Sequence, residues 1–373
     1  MTAARRVIVV GAGPGGLAAA ARLRERGAGG VAVTLVSPGL RAAFLAGTLD
    51  VALGDAEPSA FAARVALAGV ECVAGEVTAV APDGVELAAG RMHADAVIAA
   101  PGLAVDEESV PASWRRVAAV WDPDAAGRLR DRVLTPRAGR VVVAVCGVPY
   151  RCPPAPLALA VALADRHREA RHQVRVTVTT PEPVPLAGVG GEAPALVSDA
   201  CTAAGVTLER GFAPDLGASE DGVLRSTDGR EIAYEGALLV PLHRRPRCLA
   251  SLPGEGPMVA VGERGSVDGS LLYVVGDAAA TGLPRAAGVA RASAVAAADQ
   301  VLERLGVVAA PAQEPIEASC FMFHHGGALS RIRVRYVGGA ASIATDGPSL
   351  DLWPAREGEL RRFLEAAGAA LPG

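Results

Sequence analysis

The chain has 373 residues, enough for two or three lobes with sizeable cores, and its formal net charge of -4 gives no bulk attraction to nucleic acid or to an anionic membrane. Its hydrophobic fraction of 51% is inflated by alanine, and no apolar run reaches membrane-spanning length. Six cysteines (Cys72, Cys146, Cys152, Cys201, Cys248, Cys320) are scattered without C-x-x-C pairs, so in a reducing compartment a disulfide among them is expected to be catalytic rather than structural.

Arg5 to Ala20 reads as strand, turn and helix. Val7 to Val10 is a short buried strand, and an Ala/Leu-rich helix runs on to about Arg26. Between them Gly11, Gly13 and Gly16 fit the G-x-G-x-x-G spacing, with Pro14 in the same turn. The first glycine permits the tight turn, the second lets backbone approach a pyrophosphate, and the third lets helix and strand pack closely; the helix N-terminus attracts the phosphate charge. A dinucleotide site is expected; the plain alternative is a tight turn without a ligand. A strand starting so early leaves no room for a signal peptide, and a cytoplasmic location follows by default.

The second strand, Val31 to Val36, ends at Ser37-Pro38, where an acidic residue usually meets the ribose hydroxyls. Ser37 can hydrogen-bond there but carries no charge. Short alternating runs follow at Val77 to Val80 and Val85 to Leu87. The run Ala94 to Ala100 then ends in Pro101-Gly102, a small-residue turn that often accompanies the first glycine motif in two-domain flavoproteins and makes Gly102 a candidate cofactor contact.

Val141 to Val145 starts a new strand-turn-helix unit, with its helix reaching about Arg168. The turn, Cys146 to Pro156, lacks the glycines of a second dinucleotide motif, and its prolines remove backbone donors that a pyrophosphate would need. The unit therefore reads as a dinucleotide fold without a nicotinamide site. Pro153 and Pro154 also suit a helix start, and Cys152 taken alone reads equally well as a small buried apolar residue. Val174 to Thr180 is a further strand, residues 181–195 a loop, Asp228-Gly229 a hairpin turn, and Ala237 to Val240 another buried strand. The basic run from Pro241 to Arg247 reads as a solvated loop, with an anion contact as the alternative.

Leu271 to Val275 is a strand ending in Gly276-Asp277, followed by an Ala-rich helix from Gly288 to Leu305. This matches a second flavin motif: Asp277 would accept hydrogen bonds from ribityl hydroxyls, and the helix N-terminus favours negative charge. The alternative for Asp277 is an Asx turn or a helix cap. Ile332, Val334 and Tyr336 alternate with Arg331, Arg333 and Arg335, the pattern of a charge-protected edge strand. Ser342 to Ala344 adds a strand. Leu360, Phe363, Leu364 and Ala367 share one helical face, which is expected to pack on its own protein or a partner subunit, with membrane contact as the alternative.

The two flavin-type motifs, the missing second glycine motif, and Cys152 together with the late Cys320 give the chain a specific resemblance. From Arg6 to about Tyr336 it resembles the sulfide-oxidising flavoproteins: sulfide:quinone oxidoreductase and the flavoprotein subunit of flavocytochrome c sulfide dehydrogenase. Tyr150-Arg151-Cys152-Pro153-Pro154 is similar to the segment bearing that family's first redox cysteine, and Ala318-Ser319-Cys320 to the segment bearing the second. The resemblance implies an α/β fold, a two-dinucleotide-binding-domain flavoprotein of the FAD/NAD(P)-binding, Rossmann-like kind with a C-terminal α+β segment. Its expected parts are an FAD-binding domain at 1–105 and 261–310, a second Rossmann-like domain at 106–260, and an interface segment at 311–373. FAD would be bound by Gly11, Gly13, Pro14, Gly16, Ser37, Gly102, Gly276 and Asp277, with Phe321 and Phe323 as the best-placed rings.

The resemblance further implies that Cys152 and Cys320 form a redox-active disulfide beside the flavin. A small sulfur compound such as sulfide would attack it and leave a persulfide on one cysteine, and an external acceptor (quinone, cytochrome or another protein) would take the electrons. Peripheral membrane contact and homo-oligomerisation stay open, as does a sulfur relay through Cys146. No cysteine lies between Ser37 and Asp50, so the covalent flavin of some relatives is not expected, nor is coenzyme A-disulfide reductase chemistry. The alternatives are a flavoprotein resembling type II NADH dehydrogenase and a non-catalytic flavin-binding partner subunit.

Overall fold

A computed structural model describes residues 4–119, 121, 130–337 and 340–368. The strand Arg5–Val10 lies at the centre of a five-stranded parallel sheet in the order Leu272–Val274, Ala96–Ala99, Arg5–Val10, Val31–Ser37, Glu71–Ala74. Its residues from Val7 to Val10 are buried because parallel strands are covered on both faces. The Leu272–Val274 strand, far away in sequence, brings Gly276 and Asp277 to the same sheet edge as the first glycine turn. Helix Pro14–Gly27 packs beside helix Ala287–Arg304 on one face, and here the alanine content finds its use: Ala19, Ala20, Ala294, Ala297 and Ala298 are all fully buried. The other face carries the meander Val77–Ala81, Gly84–Leu87, Gly90–His93. Cys248, Leu249 and Val259 pack into that face as well.

A second parallel sheet runs Val117–Ala119, Gly236–Val240, Ala138–Val145, Gln173–Thr180, Thr207–Arg210. Helices Ala155–Glu169 and Ala193–Ala203 follow its strands. The second of these helices starts inside the stretch 181–195 that reads as a loop in sequence. Its Pro194 lies in the first turn, where no amide hydrogen is required, so the proline opens the helix instead of breaking it.

The third layer is an antiparallel sheet of Ile316–Phe323, Leu329–Val337 and Ala340–Ser349. This corrects the edge-strand expectation: Leu329–Val337 is the central strand. Its arginines meet acids on both neighbours, Arg331 and Arg333 pairing with Asp346 and Arg335 with Glu317, while Ile332 and Val334 are buried. The charges serve cross-strand pairing rather than edge protection. The last helix, Trp353–Ala366, packs on its own chain. Phe363 is buried against the first domain's core, 5.5 Å from the ring of Phe44, and Leu364 and Ala367 join it there, while Leu360 packs on the other main core.

Candidate functional site

A cavity of about 1110 Å³ lies where the C-terminal ends of the first sheet's strands meet the Cys152 turn and the antiparallel sheet. It exceeds the roughly 300–1,000 Å³ usual for one drug-sized ligand. Gly11, Gly13, Pro14, Ser37, Gly102, Gly276, Asp277, Cys152 and Cys320 all line it. Gly16 does not; it lies beneath, where a Cβ would come within 1.8 Å of the Gly11 carbonyl oxygen. A Cβ on Gly13 would instead meet no protein atom within 4 Å, so this residue leaves an open cradle at the start of helix Pro14–Gly27. These residues fit the pyrophosphate of a dinucleotide.

Ser37 ends its strand buried, at 6% exposure, and lines the same end of the cavity as Glu76. Glu76 follows the strand Glu71–Ala74, which pairs with the Ser37 strand. No local signal marks Glu76, because the acid of this motif ordinarily stands at the end of the second strand, where this chain has Ser37.

Asp277 lies near two arginines, the half-buried Arg151 and the buried Arg285. Burial pushes its carboxyl up, against the opposing charges of Arg151 and Arg285. The Arg151 Nε lies 3.9 Å from the Asp277 carboxylate, and its Nη2 donates to the Leu103 carbonyl. Arg285, at 7% exposure, donates from Nη1 to the Leu283 carbonyl at 2.6 Å, leaving its Nε buried without a partner. The Arg285 carbonyl accepts the Cys152 amide hydrogen at 2.8 Å, tying the cysteine turn to the segment that leads into helix Ala287–Arg304.

Cys152 and Cys320 are brought together from opposite walls. Cys152 adopts a left-handed backbone, φ 47°, three residues before helix Ala155–Glu169; Cys320 lies in strand Ile316–Phe323, paired with Ile332. They are present as free thiols that interact directly. The Cys152 thiol is held below its ordinary range, first by the hydrogen bond with Cys320; burial opposes this, and the Ala155 amide and the Arg356 charge assist. The Cys320 thiol is pushed well above its range by the same hydrogen bond, by burial, and by the charges of Cys152 and Glu359. Arg151, the neighbour in sequence, pairs with Asp277; a smaller favourable charge reaches Cys152 from Arg356 on the last helix, a residue with no local sequence signal. Phe321 and Phe323 both line the cavity. Cys146 does not, and burial pushes its thiol up to about 12.

The second sheet ends differently. Tyr150 is 3% exposed, and its hydroxyl bonds the Glu182 carboxylate at 3.0 Å and the Pro153 carbonyl at 3.2 Å. The turn where a nicotinamide dinucleotide would need backbone donors thus carries a buried aromatic ring, tied to a carboxylate just after strand Gln173–Thr180. Among the described residues no His/Cys/Asp/Glu group could hold a metal ion, and no helix is long and apolar enough to cross a membrane.

No protein-family model matches the chain, and no curated protein does. Solved structures do. Sulfide:quinone oxidoreductase from the hyperthermophilic bacterium Aquifex aeolicus superimposes with a TM-score of 0.81 at 18% identity, covering 98% of this chain and 91% of that one. NDH2 from Plasmodium falciparum, in complex with NADH, gives 0.70 at 11%, covering 98% and 96%. A ferredoxin reductase from Rhodopseudomonas palustris gives 0.67 at 16%, covering 89% and 82%. The chain therefore has the two-dinucleotide-binding-domain fold, and over nearly its whole length it is similar in structure to sulfide:quinone oxidoreductase.

Proposed function

We propose that the chain is an FAD-dependent oxidoreductase that oxidises sulfide or a related thiol through Cys152 and Cys320 and delivers the electrons to an external acceptor. The observation that carries this reading is the meeting of the two cysteines in the cavity that also holds the glycine cradle and Asp277. The first sheet with its returning strand and helix forms the cofactor domain, and the antiparallel sheet with the last helix closes the cavity over the cysteines.

FAD, when bound, supplies a two-electron acceptor beside the cysteines. Gly11, Gly13 and the N-terminus of helix Pro14–Gly27 would hold its pyrophosphate, Ser37 and Glu76 would serve the adenosine end, and Asp277 would accept from the ribityl hydroxyls. In the oxidised protein Cys152 and Cys320 share a disulfide. Hydrosulfide attacks the Cys320 sulfur, the S–S bond breaks, and Cys152 leaves as the thiolate, because the thiol with the lower pKa is the better leaving group. Cys320 then carries the persulfide. Tyr150 and Glu182 disfavour NADH as the reductant.

An anaerobic titration followed at the flavin absorbance tests the reading. Sulfide should bleach the flavin and NADH should not. Cys152→Ser and Cys320→Ser should each keep FAD and lose bleaching by sulfide. Wild-type rates in either variant would remove that cysteine from the reaction. Denaturation should release free FAD, and thiol counting should find two fewer thiols before reduction than after.

A further inference from the structure

Helix Ala155–Glu169 and strand Ile316–Phe323 each bring one cysteine to the cavity. The Ala155 amide donates to the Cys152 carbonyl at 2.8 Å, so Cys152 is fixed to the start of the helix. Cys320 shares a strand face with Met322, which is fully buried in the same core as Leu159 and Leu163 of the helix, and the two elements pack along each other. From Ala155 to Asp165 the helix advances about 15 Å, at 1.5 Å per residue. From Cys320 to His325 the extended chain advances about 16 Å, at 3.3 Å per residue. The matching lengths bring the far ends together, and there Asp165 grips the hairpin that follows the cysteine strand. Its side chain is only 15% exposed. Oδ2 accepts the Gly326 amide hydrogen at 2.9 Å, and Oδ1 lies 2.7 Å from His325 Nδ1. Arg168 donates to the same carboxylate and to the Ala204 carbonyl, the latter at 2.7 Å. On its other side the hairpin is held by Trp353, whose Nε1 donates to the Gly327 carbonyl at 2.9 Å.

We infer that Asp165 is a positioning residue for the cysteine pair: by holding the 324–328 hairpin at the far end of the helix, it sets the antiparallel sheet at the height where Cys320 reaches Cys152. Asp165 and His325 stand outside the described lining of the cavity, so the residue acts through the two elements and not by contact with a ligand. The demand on the sheet is tight, because a disulfide needs its Cβ atoms about 3.5–4.5 Å apart and tolerates little displacement along the helix. The hairpin is the only part of the sheet that this carboxylate touches, and through it the strand of Cys320 inherits the position of the helix. The chemical use of this arrangement rests on the sulfur-oxidising reading; the placing of the sheet does not.

The test is the equilibrium of the flavin-bearing protein with glutathione redox buffers under anaerobic conditions, read by peptide mass for the Cys152–Cys320 pair. Two protein thiols and one glutathione disulfide become one protein disulfide and two reduced glutathiones, so the equilibrium constant measures how well the fold presents one sulfur to the other. Asp165→Leu should lower that constant roughly tenfold. Asp299→Ala, which removes an ion pair of the first domain and leaves the hairpin alone, should not change it. A constant unmoved in Asp165→Leu, or lowered as far by Asp299→Ala, would overturn the inference, the second outcome by showing a merely structural role. If Asp165→Leu does not fold, His325→Leu at the exposed turn decides: it should lower the constant severalfold, and a wild-type value refutes the role. A wild type that forms no disulfide at any glutathione ratio would end the cysteine-pair reading by itself. Hydrogen exchange then decides the placing of the sheet: the amides of Ile316–Phe323 should exchange faster in Asp165→Leu and not in Asp299→Ala, and equal rates in Asp165→Leu and the wild type would refute it.

Discussion

Gly13 and Gly16, three positions apart, make a sharp test of the cofactor cradle. Gly16→Ala would put a Cβ 1.8 Å from the Gly11 oxygen and 2.9 Å from its carbonyl carbon. Both obstacles are backbone, so no rotamer relieves them, and helix Pro14–Gly27 must move off the turn by more than about 1 Å. Overpacking of this kind costs about 1–3 kcal/mol, with the upper end expected because the helix is also locked against Ala287–Arg304. Gly13→Ala meets nothing within 4 Å, and its φ of -78° suits any residue. Its fold penalty is roughly 0.5–1 kcal/mol, the step from glycine to alanine at a helix N-cap. Its Cβ would stand where a phosphate must approach; losing one charge-assisted hydrogen bond of about 1.5–3 kcal/mol weakens FAD roughly 10- to 100-fold. Apoprotein melting and flavin-fluorescence titration separate the two effects. The reasoning fails if Gly13→Ala destabilises the apoprotein as much as Gly16→Ala, or if it binds FAD as the wild type does.

Three more outcomes are expected. Asp299, 4% exposed, accepts from Arg22 at 2.9 and 3.0 Å and from Arg26 at 2.7 Å; Asp299→Ala should cost about 3 kcal/mol in chemical denaturation, because two arginines lose their buried partner. Burial works against its ionisation but the two arginines prevail and depress its pKa, so its contribution is present above the ordinary carboxyl range and lost as pH falls below it. His243 titrates at about 4, held down by burial and then by the Arg151 charge. The unfolded chain therefore binds the extra proton between about pH 6.5 and 4, and stability should fall by on the order of 3 kcal/mol as pH drops through that window; His243→Leu should flatten this slope in urea titrations, and an unchanged slope would assign it elsewhere. Glu76→Gln should weaken FAD severalfold by fluorescence titration without changing apoprotein melting, and unaltered affinity would leave the adenosine end to Ser37 alone.

The first strand, the glycine turn, the returning Gly276-Asp277 strand and the hydrophobic run Val141 to Val145 were all legible because each is a local pattern. A buried parallel strand needs consecutive apolar residues, and a phosphate turn needs glycine at fixed offsets. The Leu329–Val337 strand was misplaced at a sheet edge because alternation reports which face is buried, not how many neighbours pair. Its arginines take their meaning from Asp346 and Glu317 on the flanking strands. The helix Ala193–Ala203 was hidden by a lead-in of proline and glycine that resembles a loop until its register is known.

By itself, then, the sequence determined the α/β class, the first glycine turn, the lack of that glycine spacing after Val145, and which two cysteines to compare. Only the tertiary structure decided that Cys152 and Cys320 line one cavity, that Arg151 lies 3.9 Å from Asp277, and that the last helix reaches the same cavity with Arg356. The reason is physical: hydrophobic period and turn chemistry act between residues a few positions apart, whereas the charge felt by a thiol depends on distances in space. Those distances are set by how the last helix and the antiparallel sheet pack over the cavity.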